Sequence, residues 1–527
     1  MSASREKQNR QAAAGQAGPK TAREAQQRRE EKRSSLLYGV IAAAVAVGVI
    51  ASIVWRSGII PQMTTAVTID GEKYTTGEVS YYYQTAYRNF LNNYSSVVSY
   101  LGLNPSASLK DQALEAGTAS MLGIQVPESG EDSSGSMTWH DYFLDEALDN
   151  MSVIQTTLAA AEAEGFQYPA SVQAEYDDNM AALRSTAAAS GISVGQYLKG
   201  TFGSGITEKI YGEQLMRALR YGAYTDAYRD SLTYSESELE AVYEADRNTY
   251  DHVSYELVTL SAAAESTKDA DGNTVEPTEE ESAAAMEAAQ EAAQAILDAA
   301  RSGGDLESLA EEHGGTYNRN EAGSYSSGSV TSEWLYDTAR QAGDAAVLED
   351  GTILYVAVFH DRSRDESPTI DIRHILVPLG NAALEEGDEG YEDEQAQLKA
   401  DAHAKAEELL AQWQSGEATE ESFASLAMAE SADSSKYDGG LYTEVYQGRM
   451  VEEFDAWCFD AARQPGDTGI VDTQFGSHVM YFSGVDMTRW QVQAANSLRD
   501  EAYAAWEAGL AEDVAILRNA SGLKFIG

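Results

Sequence analysis

The sequence predicts a multidomain α+β protein: one amino-terminal transmembrane helix, a helical domain, two α/β domains and a carboxyl-terminal helix. Three observations predict it. The chain has 527 residues, too many for one core when domains average about 100–200 residues. Leu36–Trp55 is a run of twenty residues without a charge. A pattern of strand, helices and closing strand occurs twice between Asp251 and Asp486, the signature of an internal repeat.

Composition narrows the partners. A formal charge of −49 argues against nucleic acid, which needs a basic patch, and for a soluble, self-repelling surface. Cys458, the single cysteine, lies in the mostly apolar run Phe454–Phe459 and reads as a buried small hydrophobe rather than a nucleophile. An internal disulfide is impossible.

Residues 1–35 form a basic tail. Its first 33 residues carry nine Lys/Arg against four Glu. The uncharged run that follows spans about 30 Å as a helix, enough to cross a bilayer core. The excess of Lys/Arg ahead of it places the tail in the cytoplasm and the bulk of the chain outside. A cleaved signal peptide has an apolar region of only about 7–15 residues. The reading is therefore a retained signal-anchor over 36–56 in the cell membrane.

Residues 64–250 read as a helical domain with a strand-turn-strand entrance, Val67-Thr-Ile-Asp-Gly-Glu-Lys-Tyr. Thr75 and Glu78 form a capping-box pattern. Val79, Tyr82, Tyr83, Tyr87, Phe90 and Tyr94 follow at helical spacing, a stripe that serves either a core or a client-binding groove. Further helices are predicted at Trp139–Glu164, around 175–190, from 207 to 228, and after the Ser235/Glu238 cap.

The repeat occupies 251–365 and 366–488. Val253-Ser-Tyr-Glu-Leu-Val-Thr-Leu parallels Asp371-Ile-Arg-His-Ile-Leu-Val-Pro-Leu, and Asp305-Leu-Glu-Ser-Leu-Ala parallels the stretch holding Phe423-Ala-Ser-Leu-Ala. Only the second copy continues with Ser431-Ala-Asp-Ser-Ser-Lys-Tyr-Asp-Gly-Gly, Gln447-Gly-Arg-Met-Val-Glu-Glu-Phe and Phe475-Gly-Ser-His. In this alignment Glu256 takes the place of His374. His313 and His360 fall outside the motifs and read as surface residues, as does His403 on its helix.

These second-copy motifs resemble the parvulin family of peptidyl-prolyl cis/trans isomerases over the whole of a parvulin domain. With the helical region ahead of them, they resemble the SurA/PrsA/PpiD group of extracytoplasmic foldases. The resemblance implies a catalytic floor of His374, Asp433, Thr473 and His478, and a proline slot formed by Tyr442, Met450, Phe454 and Phe475. A bland reading also fits Met450 and Phe454, as core residues at i, i+4. The family's Gly-Gly-Asp-Leu-Gly reads Gly439-Gly-Leu-Tyr-Thr here, so Tyr442 stands where a leucine lines the slot. The acidic loop Glu385–Glu394, where some family members carry a phosphate-binding basic loop, argues against phosphoserine-proline substrates. The first copy becomes a degenerate domain without the chemistry.

The resemblance implies no cofactor and no metal. The partners it implies are unfolded or newly exported polypeptides containing proline, with a homodimer among the assemblies the group allows. Two functions follow from it: an isomerase with chaperone activity, or an inactive holdase that only cradles chains. From Thr488 to Arg518 one helix is predicted, then a short strand at Lys524-Phe-Ile. This segment, 489–527, is expected to pack on the helical domain and cover the stripe Val79–Tyr94.

Overall fold

The computed structural model describes residues 58–123, 137–269, 272–512 and 514–527, with Val45, Val47 and Val49. No helix among them is long and apolar enough to cross a membrane. The expected span Leu36–Trp55 lies, apart from those three valines, outside the described residues. The chain divides into two compact units, one of residues up to Asp226 together with Glu507–Gly527, the other of Ala227–Trp506.

In the first unit β1 (Thr65–Ile69) and β2 (Glu72–Thr75) form a hairpin. Asp70 (φ 46°) and Gly71 (φ 83°) both take positive φ, the backbone that matches a two-residue turn to strand twist. Helix α1 (Thr76–Asn93) starts on the anticipated capping box, with the Glu78 carboxylate 2.7 Å from the Thr75 amide. Its face carrying Val79, Tyr82, Tyr83 and Phe90 is buried against Trp139, Phe143, Leu148 and Met151 of α2 (Trp139–Glu164). Most of the aromatic stripe is therefore core. Helices α3 (Ala170–Ala189), α4 (Val194–Phe202) and α5 (Glu208–Ser231) surround a second cluster of Met180, Leu183, Leu198 and Ile206.

The second unit begins with α6 (Glu236–Ala245), whose Leu239 and Tyr243 pack with Tyr250, Trp490 and Ala494. Two four-stranded antiparallel sheets follow. The first contains β3 (Asp251–Ser261), β4 (Thr316–Gly323), β5 (Ala345–Asp350) and β6 (Ile353–Arg364), in the order β4-β3-β6-β5. The second contains β7 (Pro368–Pro378), β8 (Leu441–Val445), β9 (Thr468–Thr473) and β10 (Gly476–Thr488), in the order β8-β7-β10-β9. The two orders are the same once the strands are matched one for one. Helices α7 (Glu279–Arg301) and α8 (Leu306–Glu312) cover one face of the first sheet, and α9 (Val330–Leu335) packs on Val253 and Phe359 of the other. Helices α10 (Tyr391–Ser415), α11 (Glu420–Glu430) and α12 (Glu452–Cys458) serve the second.

The likeness of the two sheets extends to single bonds. Gly343 N donates to Phe359 O and Phe359 N to Asp344 O, just as Gly466 N donates to Phe482 O and Phe482 N to Asp467 O. Arg340 lies over Trp334 as Arg463 lies over Trp457. This register corrects the sequence alignment by one residue. The helix-facing partners are Val258↔Val356 in the first sheet and Ile375↔Val479 in the second. The position matching His374 is thus Leu257, not Glu256, and the position matching His478 is Tyr355. A one-residue slip carries a strand side chain to the opposite face. Glu256 instead bonds Tyr317 and Arg319 on β4.

At the seam before the second sheet, Asp251 and Arg362 form a buried 2.6 Å ion pair, and Tyr243 donates to Asp251 at 2.8 Å. Helix α13 (Arg489–Ala511) stops short of the expected Arg518. Residues Ile516–Arg518 form β11 instead, antiparallel to β1 in the sheet order β11-β1-β2. No strand forms at Lys524–Ile526; Ile526 is buried in the cluster of Val79 and Tyr83. Gly522 allows this return, because a Cβ there would meet the Ala66 backbone at 2.5 Å.

Candidate active site

The second sheet brings together two histidines 104 residues apart. His374 on β7 and His478 on β10 lie on adjacent paired strands, near each other because Met480↔His374 and His478↔Leu376 are register partners. Their rings stack at 5.3 Å between centroids and 21° between planes. The two Nδ1 atoms are 3.1 Å apart. Both side chains are buried, at 2% and 6% exposure.

Each outer ring nitrogen has its own partner. His478 Nε2 is 3.0 Å from Thr473 Oγ1, which sits at the end of β9 and also accepts from the Phe475 amide at 3.1 Å. His374 Nε2 is 3.2 Å from Ser435 Oγ and 3.4 Å from Asp433 Oδ1. The loop from Ser431 to Gly440 is laced to β7: Leu376 N donates to Ser431 Oγ at 3.0 Å, and His374 N donates to Gly440 O at 2.9 Å. Gly440 (φ +74°) must be glycine, since a Cβ would stand 2.2 Å from His374 O.

These contacts constrain the protons. The hydrogen bond from His374, reinforced by Ser435, holds the Asp433 carboxyl well below the usual range despite its partial burial. An ionised carboxylate only accepts, so His374 Nε2 carries a proton. Burial, together with the charge of His374, pushes the His478 imidazole down to about 4, so it is neutral near pH 7. Exactly one proton fits between the two Nδ1 atoms. The result is a hydrogen-bonded chain that joins Thr473, His478, His374 and Asp433.

Aromatic groups frame the pair. Phe454 of α12 meets both imidazoles edge-on, at 5.6 Å and 85° for His374 and 5.3 Å and 86° for His478. Tyr442 of β8 covers the other face of His374, 4.8 Å between centroids. Its hydroxyl donates to Asp433 Oδ1 at 3.1 Å, and burial with that carboxylate raises the phenol to about 12. Met450 packs in the cluster of Tyr442 and Phe454. Phe475 stands 57% exposed on the β9–β10 turn, outside the ring stack. Of the eight expected residues, six thus meet around the histidine pair: His374, His478, Thr473, Asp433, Tyr442 and Phe454.

Sequence reasoning missed Ser435, which touches His374 and donates its amide to Asp433 Oδ1 at 2.8 Å. The signal was its place two residues after an Asp, where a side-chain oxygen caps the backbone. His403, expected on a solvated face, is 40% exposed and bonds Asp472 at 2.9 Å. Among the described residues no group of His, Cys, Asp and Glu is arranged to hold a metal ion.

A peptide bound against this floor would find apolar walls and an acid at one side, a setting for twisting an amide rather than cleaving one. Residues 357–484 match the PPIC-type PPIase domain family. The chain therefore carries a parvulin-type peptidyl-prolyl isomerase domain. Among solved structures it is similar to PrsA from Bacillus anthracis, at 22% identity over 30% of this chain and 60% of that one, with a TM-score of 0.18. It is also similar to PrsA from Bacillus subtilis, at 12% identity over 74% and 91%, TM-score 0.28. A SurA-like chaperone of Campylobacter jejuni matches at 21% identity over 28% and 53%, TM-score 0.16. No curated protein sequence matches the chain.

Proposed function

We propose that the protein is a membrane-anchored foldase that isomerises X–Pro bonds in exported polypeptides and holds them while they fold. The observation that carries the enzymatic part is the 3.1 Å Nδ1···Nδ1 contact between two buried imidazoles, closed at its ends by Thr473 and Asp433. An X–Pro bond turns over unaided in tens to hundreds of seconds because the amide resists leaving planarity. No bond needs to break. The site has to seat the proline ring, exclude water and favour the twisted amide over the planar one.

Phe454, Met450 and Tyr442 supply the apolar wall for the ring. His478 is neutral near pH 7 and both rings are buried, so the floor gives the amide little stabilisation in its planar, resonance-polarised form. The Asp433 carboxylate lies at the side where the carbonyl swings and disfavours charge build-up on that oxygen, which lowers the double-bond character of the C–N bond. Thr473, Ser435 and Tyr442 keep these groups from reorganising during the twist.

Anchoring is supported by the uncharged run Leu36–Trp55 and the +5 charge of the 33 residues before it; resistance to extraction from membranes at high pH tests it. The 251–365 sheet, with Leu257 and Tyr355 in place of the histidines, is proposed as an inactive copy that serves packing or holding. A homodimer is part of the proposal, and sedimentation of the purified chain tests it. The second reading, a holdase without turnover, is favoured by the Tyr442 ring lying over His374. An isomerisation assay on a proline peptide decides between them: turnover that disappears in His374→Ala and His478→Ala supports the enzyme, and a wild-type chain without turnover supports the holdase.

A further inference from the structure

Behind the isomerase floor lies a second chain of contacts. Asp472 and Thr473 are consecutive on β9, so their side chains point to opposite faces. Thr473 reaches His478. Asp472 reaches the other way: its Oδ1 accepts from Ser477 Oγ at 2.6 Å, and its carboxylate accepts from His403 Nδ1 at 2.9 and 3.0 Å. His403 lies midway along α10, the helix that packs on the sheet through Ala406 and Leu409. Ser477 precedes His478 and is the register partner of Asp472; Thr473 is the partner of Gly476. His403 thus ties α10 to the β9–β10 hairpin beside Thr473 and His478.

We propose that His403 and Asp472 are positioning residues for the isomerase: they clamp the β9–β10 turn to α10 and so hold Thr473 and His478 in working geometry. The clamp carries charge. Asp472 is the accepting carboxylate, and His403 is 40% exposed, free to exchange protons with solvent. The other charged groups around it are Glu407 on the same helix, 3.9 Å from His403 Nε2, and Lys399 and Glu453, which share with Asp472 and Thr473 the lining of a cavity of about 280 Å³. The hydrogen bond to Asp472 raises the His403 imidazole, and the bonds from Ser477 and His403 hold Asp472 low against the effect of its burial. When His403 loses its proton the clamp weakens from an ion pair to a hydrogen bond between a neutral imidazole and the Asp472 carboxylate. The negative field of Asp472, which itself favours a protonated His478, is then no longer offset.

This inference rests on the isomerase reading of the cleft, and the test separates the two. Isomerisation of a proline peptide by the full chain is followed from pH 5.5 to 8.5 for wild type, H403Q, H403R and D472N. Wild-type kcat is expected to step down by about three- to tenfold as pH rises through the titration of His403, with KM nearly constant. H403Q is expected to lack the step and stay at the lower rate. H403R keeps a permanent cation, so it should also lack the step but stay at the higher rate. D472N should lose the step. The His478 ring resonance gives a second readout, titrating at higher pH in H403Q than in wild type. A pH step that survives in H403Q, or equal rates for H403Q and H403R, overturns the clamp while leaving the isomerase standing. A wild-type chain without turnover overturns both.

Discussion

His478 has the most exposed consequences for a single side chain. Its imidazole is pushed down to about 4 by burial and by His374, against about 6.5 in an unfolded chain. The native state therefore binds fewer protons than the unfolded state between those two values. Its contribution to stability is complete above pH 6.5 and is lost as pH falls through 4, an amount on the order of a few kcal/mol. Urea unfolding of the wild type should weaken over that interval, and His478→Gln should flatten the dependence. Asp433 works in the same sense at lower pH, since its folded value is depressed: its support is present above about 4 and disappears as acid is added. For catalysis, His374→Ala leaves His478 Nδ1 without its partner and Asp433 without its imidazole donor, with only the Ser435 amide and Tyr442 hydroxyl remaining; kcat/KM should fall about 10²-fold. Tyr442→Leu restores the apolar side chain usual in the parvulin family while removing the hydroxyl on Asp433. Proline peptides should then bind with lower KM if the phenol narrows the slot.

At the scale of elements, the sheets depend on a few pairings that the sequence displayed unevenly. The outer motifs were legible: the roles of His374, Asp433, Thr473 and His478 came from the resemblance of the motifs around them to the parvulin family. What was hidden was register. Leu257 and Glu256 are neighbours in sequence, and only the bulge shared by Phe359 and Phe482 tells which of them faces the helices. The strand Ile516–Arg518 was hidden for a related reason, because three residues gain strand character only by pairing with β1 across the sequence. The buried pair Asp251–Arg362 joins strands β3 and β6. Asp251→Ala leaves the largely buried guanidinium without a carboxylate, with only Tyr336 O and Asn248 Oδ1 accepting from it, and the unfolding free energy of the second unit should fall by about 3–5 kcal/mol. A double variant with Arg362→Met should recover much of that loss.

On the scale of the whole molecule, the net charge of −49 sets long-range behaviour. A basic unfolded client should associate faster at low ionic strength than at high, because the screening length shrinks from about 30 Å at 0.01 M to about 8 Å at 0.15 M salt. A stopped-flow titration against salt measures this, and a neutral client should show little dependence. The division into two compact units predicts that heat capacity scans resolve two transitions. Ending the chain after residue 511 removes Ile516, Leu523 and Ile526 from the first unit's core. Ile526 is fully buried, worth about 1.5–3 kcal/mol, and Ile516 and Leu523 are partly buried, so one transition should move down sharply while the other stays in place.

The sheet β11-β1-β2 joins residues that ribosomes make far apart in time. A chain emerging amino end first exposes Thr65–Thr75 early, but the strand that flanks Thr65–Ile69 follows some 450 residues later. Both intervening sheets are complete by Thr488, so they can fold while the first unit still lacks an edge and part of its interior. During synthesis the earliest segment is the last to close, and until residues 516–526 arrive it is itself an unfinished polypeptide in need of shelter.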